Sequence, residues 1–369
     1  MQAGSIDIEI AWDGARISAV ALANTRPAAA RLLAGRSPQE ALALAPRLFS
    51  LCRHGQTTAA WLALGAAEGR APSDLSRADT ALAAEAAQEH LWRLLLDWPA
   101  LLGWEASLDQ FAAWHRRLGG TAQSGDWSDC GGEFAGFIES EILGLDPAEW
   151  LACPESWAKH GRLAALIHEL RELEAAGGTP ATLLPEGRPA LEYHRELASA
   201  LNQDFARQPI WQGHPAETGP LARWQEAAPV AAARAAGWPD AAARLLARGV
   251  DLAYCALEAQ GRTSPRKRSD ACAPEPGLGL AWTETSRGVL LHQARVAEGR
   301  VIDYLIVAPT EWNFHPEGPL KAGLMGQPAP DAASAVQRAR RLALSLDPCV
   351  PYNVRPRPDG PSLHEPTGQ

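Results

Sequence analysis

Between roughly residues 27 and 260 the chain repeats alanine and leucine at helical spacing, and on either side of that block the spacing changes to alternation. The block includes SPQEALALAPRL, TAAWLALGAAEG, TALAAEAAQEHLWRLLLDW, SWAKHGRLAALIHELRELEAA and PDAAARLLARGVDLAYCALEAQG. Ser37 and Ser156 are candidate N-caps, and the pair Gly177 and Gly178 is a stop signal. Before the block, SIDIEIAW and ARISAVAL alternate around Asp13-Gly14, which predicts a β-hairpin over residues 1–26. After it, a break rich in proline, glycine and charge (GRTSPRKRSDACAPEPGLG) precedes a β region over residues 278–314, with a second hairpin signal at AEGR. Residues 329–355 carry a final helix, PDAASAVQRARRLALSL, and the loop DPCVPYN, and the polar, proline-rich residues 356–369 are expected to be a disordered tail. A lone hairpin is only marginally stable, so the two ends are expected to pack together and bring residues near 50 and near 349 into contact. The expected fold class is mixed α/β and mainly helical, in one domain over residues 1–355 with small sheet elements from both ends.

A chain of 369 residues with 46% hydrophobic content has ample material for a buried core. Most of its 14 tryptophans lie in the helical block, where packing between helices is their expected role. The formal net charge of −9 argues against a nucleic-acid partner. The compact basic run SPRKRSD (Arg266, Lys267, Arg268) reads as a solvated loop. The opening MQAGSIDIEIAW carries Asp7 and Glu9 and has no basic or apolar leader, and no run approaches ~20 apolar residues, so no membrane span and a cytoplasmic location are expected.

The six cysteines form no C-x-x-C pair, which removes zinc ribbons and dithiol redox motifs. Cys153 and Cys255 read as small buried hydrophobes. Cys52, in RLFSLCRHGQTTAAW, precedes a helix with Thr57 or Thr58 as N-cap and has Arg53 and His54 beside it, a setting that favours the thiolate. Cys349 is framed by Pro348 and Pro351, which fix the local path. Arg287, before Gly288, either aims its guanidinium between elements or lies at the surface; Thr310, after Pro309, either donates to a ligand or caps a turn. His160 and His168, about two helical turns apart, are too distant to share a metal, and with His115 they read as packing or solvated histidines.

Taken in order, four segments resemble the large subunit of nickel–iron hydrogenases. GSIDIEIAWDGARI resembles that family's first hairpin, and RLFSLCRHGQTTAA sits where the family has its first metal-binding C-x-x-C. TETSRGVLLHQARVAEGRVIDYLIVAPTEWN resembles its Arg-Gly strand and its Pro-Thr-Thr-Trp-Asn turn, and SLDPCVPYNVR its Asp-Pro-Cys-x-x-Cys-x-x-His ending. The resemblance implies the fold of that subunit, a central helical bundle with small sheets from both ends. In that family four thiolates hold nickel and iron. Here Phe49 and Tyr352 replace one cysteine of each pair, leaving Cys52 and Cys349 as metal ligands, with Tyr352 closing the position nickel would need. Cys52 matches an iron-bridging position and Cys349 a nickel-terminal one. Ala3 stands for the proton-transfer glutamate and Arg355 for the final histidine, so hydrogenase activity is not expected. Arg287, Pro309 and Thr310 match the residues that contact the iron's cyanide and carbonyl ligands.

A chain that keeps this pocket and loses nickel is similar to the HupK/HoxV-type hydrogenase maturation proteins. That similarity implies a non-catalytic scaffold that transiently holds an Fe(CN)2(CO) unit, without nickel. The implied partners are a small HypC-type carrier chaperone and the hydrogenase large-subunit precursor, with no nucleic acid and no membrane. The alternative is a metal-free interaction protein that docks maturation partners by mimicking the large subunit.

Overall fold

A computed structural model describes residues 4–27, 29–48, 51–70, 72, 74–153, 160–174 and 178–357. Ala3, Phe49, Ser156, Gly177 and residues 358–369 of the expected tail lie outside the described residues.

The alternation at the N-terminus folds as read. Strands β1 (Ile6–Trp12) and β2 (Ile17–Asn24) pair antiparallel. The Asp13 carboxylate accepts from the Ala15 and Arg16 amides, and Gly14 takes φ 103°. Period two puts Ile6, Ile8 and Ile10 inside and Asp7 and Glu9 at the rim. The two ends meet as expected: residues Tyr352–Pro356 run parallel to β1 as a third strand, from Ile6 opposite Tyr352 to Ile10 opposite Pro356. Asn353 and Arg355 on that strand bond Asp7 and Glu9.

Two two-residue strands, β3 (Thr182–Leu183) and β4 (Ala216–Glu217), pair within the helical block. The larger sheet is antiparallel in the order β5 (Ser269–Glu275), β6 (Leu278–Thr285), β7 (Gly288–Ala297), β8 (Arg300–Val307). With the strand Tyr352–Pro356 as β9, the chain has nine described strands. The second hairpin forms at β7–β8. The β region begins earlier than its alternation suggests, because β5 lies inside the charged break. Arg268 is buried there with a bidentate pairing to Glu258 (2.8 and 3.0 Å), and Arg266 reaches Glu284 at 3.0 Å. The basic run is therefore no solvated loop. Carboxylates on the neighbouring helix and on β6 draw two of its three cations inward, and Lys267 alone stays largely exposed.

Every residue of β6 is buried, because both faces of the sheet are covered. On one side lies the helix Arg53–Ala67, whose buried face is built from Ala59, Ala60, Ala63, Ala66 and Ala67. Small residues let the helix come close: a Cβ on Gly279 would fall 2.0 Å from the Ala63 carbonyl oxygen. On the other side pack Tyr193, Trp211 and Trp312. The helical body centres on the helix Asp240–Ala259, with Trp98, Trp150 and Phe134 fully buried against its neighbours. Ser37 caps the helix Pro38–Leu48 reciprocally with Glu40. No helix among the described residues is long and apolar enough to cross a membrane.

Candidate functional site

Cys52 occupies the N-cap position of the helix Arg53–Ala67, so the helix starts ahead of Thr57 and Thr58; the Thr57 hydroxyl donates to the Arg53 carbonyl instead of capping. The setting does not favour the thiolate. Burial first, then Cys349 and Glu85, push the Cys52 thiol up to about 12. The helix terminus offers no compensation, because Glu85 already accepts from its free amides, His54 N at 2.7 Å and Gly55 N at 2.9 Å. Arg53 is exposed, and burial lowers the His54 pKa, so neither neighbour places a cation on the sulfur. Glu85 is itself pushed up to about 7 by burial, against those two amides.

The side chain that addresses Cys52 is Gln56, one turn on. Its Nε2 donates to Sγ at 3.7 Å while its Oε1 meets His292 Nε2 at 3.0 Å. His292 Nδ1 lies 2.7 Å from the Tyr304 hydroxyl. Burial depresses His292 to about 3, so the ring is neutral and the chain from Tyr304 through His292 and Gln56 to Cys52 has one consistent sense.

Cys349 follows the last helix, Ala332–Leu346, which ends with Asp347 in the left-handed region at φ 57°. Asp347 is buried under three guanidiniums: Arg93 Nε at 2.7 Å, Arg248 Nη1 at 3.0 Å and Arg287 Nε at 3.2 Å. Burial would raise its pKa, but Arg287, Arg93 and Arg248 together hold it far below the usual carboxylate range. Arg93 comes from a π-helical turn, Arg93–Asp97, that interrupts the helix begun at Ser76. Thr310 is 1% exposed and addresses Cys349 twice: its hydroxyl donates to Sγ at 3.1 Å and accepts from the Cys349 amide at 3.3 Å. Asn313, on the same short turn Pro309–Asn313, donates to the Arg287 and Leu346 carbonyls and so ties three segments together.

Arg287 lies in the β6–β7 connection and is buried rather than at the surface. Its Nη2 donates to Glu89 at 2.6 Å, whereas neither Nη1 nor Nε, the latter 3.2 Å from Asp347, has a hydrogen bond among the described residues. A buried N–H without a partner is costly and points to a missing acceptor. The next residue is necessarily glycine, since Gly288 has φ 127° and a Cβ there would meet the Thr218 hydroxyl at 2.3 Å.

Cys52, Cys349, Arg287, Pro309 and Thr310 line one cavity of about 290 Å³, with Gln56 and Arg26 also in its wall. Tyr352 is not in that wall. It begins β9 and turns its hydroxyl to the Arg340 carbonyl, 3.4 Å away. Strand pairing explains this: once residues 352–356 join β1, the side chain at 352 is directed to the hairpin cluster. His115, His160 and His168 are also absent from the lining. Cys255 is buried and Cys153 half-buried. Among the described residues no three His, Cys, Asp or Glu side chains gather as a metal site. The cavity therefore offers two thiols, a hydroxyl already on one of them, and a guanidinium with a free N–H.

Residues 256–354 match the family model described as nickel-dependent hydrogenase. The chain is 35% identical to the hydrogenase expression/formation protein HoxV of Cupriavidus necator over 367 residues, covering 90% of this chain and 92% of the relative. The chain belongs to the HoxV/HupK family of hydrogenase expression/formation proteins. Another HoxV/HupK relative, HupK of Rhizobium leguminosarum bv. viciae, is 32% identical over 96% of this chain and 97% of its own. Among solved structures, a NiFeSe hydrogenase from Desulfovibrio vulgaris Hildenborough superposes with a TM-score of 0.63 at 15% identity, covering 94% of this chain and 98% of that one. This HoxV/HupK chain thus has the hydrogenase large-subunit fold. Glu85, Gln56, Glu89 and Arg26 escaped the sequence reading. The first and third left a signal, two acidic residues one turn apart on the alanine-rich TALAAEAAQEHLW.

Proposed function

We propose that this chain acts in hydrogenase maturation as a non-catalytic scaffold that transiently holds an Fe(CN)2(CO) unit between Cys52 and Cys349, with no nickel. The observation that carries this reading is the convergence of two thiols and the unbonded Arg287 Nη1 on one cavity. Iron that arrives with three diatomic ligands needs few protein ligands, and soft thiolates suit it. Cyanide nitrogen is an acceptor, and a charge-assisted N–H in a buried wall is a suitable donor for it.

As each Fe–S bond forms, the thiol gives its proton to solvent. Thr310 orients the Cys349 sulfur and Gln56 the Cys52 sulfur through the hydrogen bonds described above. A thiol whose pKa is about 12 binds metal against strong proton competition. That suits a hold that has to be released. The reading sets this exchange in the cytoplasm, with a small HypC-type carrier chaperone as donor and the hydrogenase large-subunit precursor as receiver.

The test is infrared spectroscopy on protein purified anaerobically after coexpression with the maturation proteins. Cyanide and carbonyl bands are expected in the wild type and should be lost in Cys52→Ala or Cys349→Ala. Wild type without bands, but with maturation partners still bound, would instead establish a metal-free docking protein.

A further inference from the structure

Two cationic side chains line the thiol cavity among the described residues, Arg287 and Arg26. They are placed very differently. Arg287 is fixed between Glu89 and Asp347, and Asp347 is shared with two further arginines. Among the described residues Arg26 makes one ion pair, from Nη1 to Glu311 Oε1 at 2.6 Å, with both side chains nearly enclosed (12% and 13% exposed). Its backbone is anchored: Asn24 accepts from its amide, Pro27 restricts it to an extended path, and a Cβ on Gly4 would meet its Cα at 2.4 Å. Only the guanidinium end is free to choose partners.

What it can choose between lies on its two sides. The thiol cavity adjoins a second one of about 420 Å³, and Arg26, Pro27, Ala29 and Ala308 belong to both walls. Glu311 lines the outer cavity, and its Oε2 has no hydrogen bond among the described residues. Burial alone would lower the Arg26 pKa, and the Glu311 carboxylate, the largest of the opposing influences, raises it. Iron(II) carrying two cyanides, a carbonyl and two thiolates is a dianion. Arg287 is tied to two carboxylates, whereas Arg26, among the described residues, has a single ion pair, and its partner Glu311 lines the outer cavity. Of the two described cations in the thiol cavity's wall, Arg26 is therefore the one less constrained to its present partner.

We propose that Arg26 is a second charge-recognition residue of the thiol cavity, held by Glu311 while the cavity is empty and turned onto the cyanide ligands of the anionic iron unit when it is loaded. This rests on the scaffold reading above. Glu311, released, faces the outer cavity, where water replaces the guanidinium. Glu311 occupies the second threonine position of the Pro-Thr-Thr-Trp-Asn turn that the segment resembles, so a carboxylate stands where the resembling pattern has a hydroxyl.

The experiment uses the full chain coexpressed with the maturation proteins and purified without oxygen. Iron content and the infrared bands are compared for wild type, Arg26→Gln, Arg26→Lys, Glu311→Gln and the Arg26→Gln/Glu311→Gln pair. Loss of one charge-assisted hydrogen bond to the cargo should cut iron retained after a high-salt wash by about tenfold in Arg26→Gln and in the neutral pair. Residual iron in those variants should show a cyanide band at lower frequency, with the carbonyl band moved less. Arg26→Lys should keep partial retention, and Glu311→Gln should retain iron at least as well as wild type. The neutral pair leaves no unpaired buried charge, and its melting curve separates misfolding from lost recognition. Wild-type retention and unshifted cyanide bands in the folded neutral pair would overturn the role of Arg26 alone. Wild type without diatomic-ligated iron would overturn the scaffold reading, and this proposal with it.

Discussion

Cys52 shows how a sequence signal can be right about position and wrong about state. Its place at a helix start is legible from RLFSLCRHGQTTAAW, but its protonation is set first by burial and then by Cys349 and Glu85, which arrive from elsewhere in the chain. Glu85 carries a prediction of its own. Its pKa rises from 4.5 unfolded to about 7 folded, so the folded chain binds the extra proton. The resulting stability is complete below about 4.5 and is lost as pH rises through about 7. The melting temperature of iron-free protein should therefore fall between pH 5 and pH 8, and Glu85→Gln should flatten that slope, as read by calorimetry. Arg287 and Thr310 were legible as motif residues too. Their contacts with Glu89 and the Cys349 sulfur were not, because a residue pattern records chemistry along the chain and not which carboxylate or thiol arrives from elsewhere.

At the scale of elements, period and composition predicted most of what formed. The hairpins at Asp13-Gly14 and at AEGR are local decisions, made by turn residues and alternation. Strands β5 and β9 do not show in the alternation, because β5 lies in a charged, proline-containing stretch and β9 is short and follows Pro351, and both owe their pairing to a partner already in place. The helix Arg53–Ala67 owes its position to absent atoms: alanines on one side and Gly279 on the other. Gly279→Val should separate helix and sheet, cost about 3 kcal/mol or more in urea unfolding, and lower iron retention by displacing Cys52. Retained stability would mean that the backbone contact is soft. The helix Asp240–Ala259 carries Arg244, Arg248 and Asp251 at intervals of four and three, a charged stripe on a buried helix. That spacing was readable, and it marks the face that meets Glu217, Asp347 and His90.

For the whole molecule, the expectation that the ends meet was argued from the weakness of a lone hairpin, and the structure meets that need with a parallel strand. β9 holds the segment immediately after Cys349, so the hairpin and the thiol should be coupled. Val354→Asp, which puts an unpaired charge into the buried side of β9, should cost about 2 to 4 kcal/mol. Amide exchange should rise along both β1 and β9, and a maleimide should label Cys349 faster. Faster exchange confined to β9 would show that the hairpin stands without it.

The pairing of Ile6 with Tyr352 also sets a timetable. Strand β1 is made before its partner, and that edge stays unpaired until the intervening residues up to Tyr352 have been synthesised. Contacts of such sequence separation form slowly and late. The helical body can collapse before they do, with Cys52 already seated on its helix. The second thiol then arrives with the strand that completes the hairpin, in one closing movement. Until that clasp shuts, a nascent or misfolded copy has one of the cavity's two sulfurs in place. On the scaffold reading proposed above, readiness to receive iron would be tied to completion of the fold.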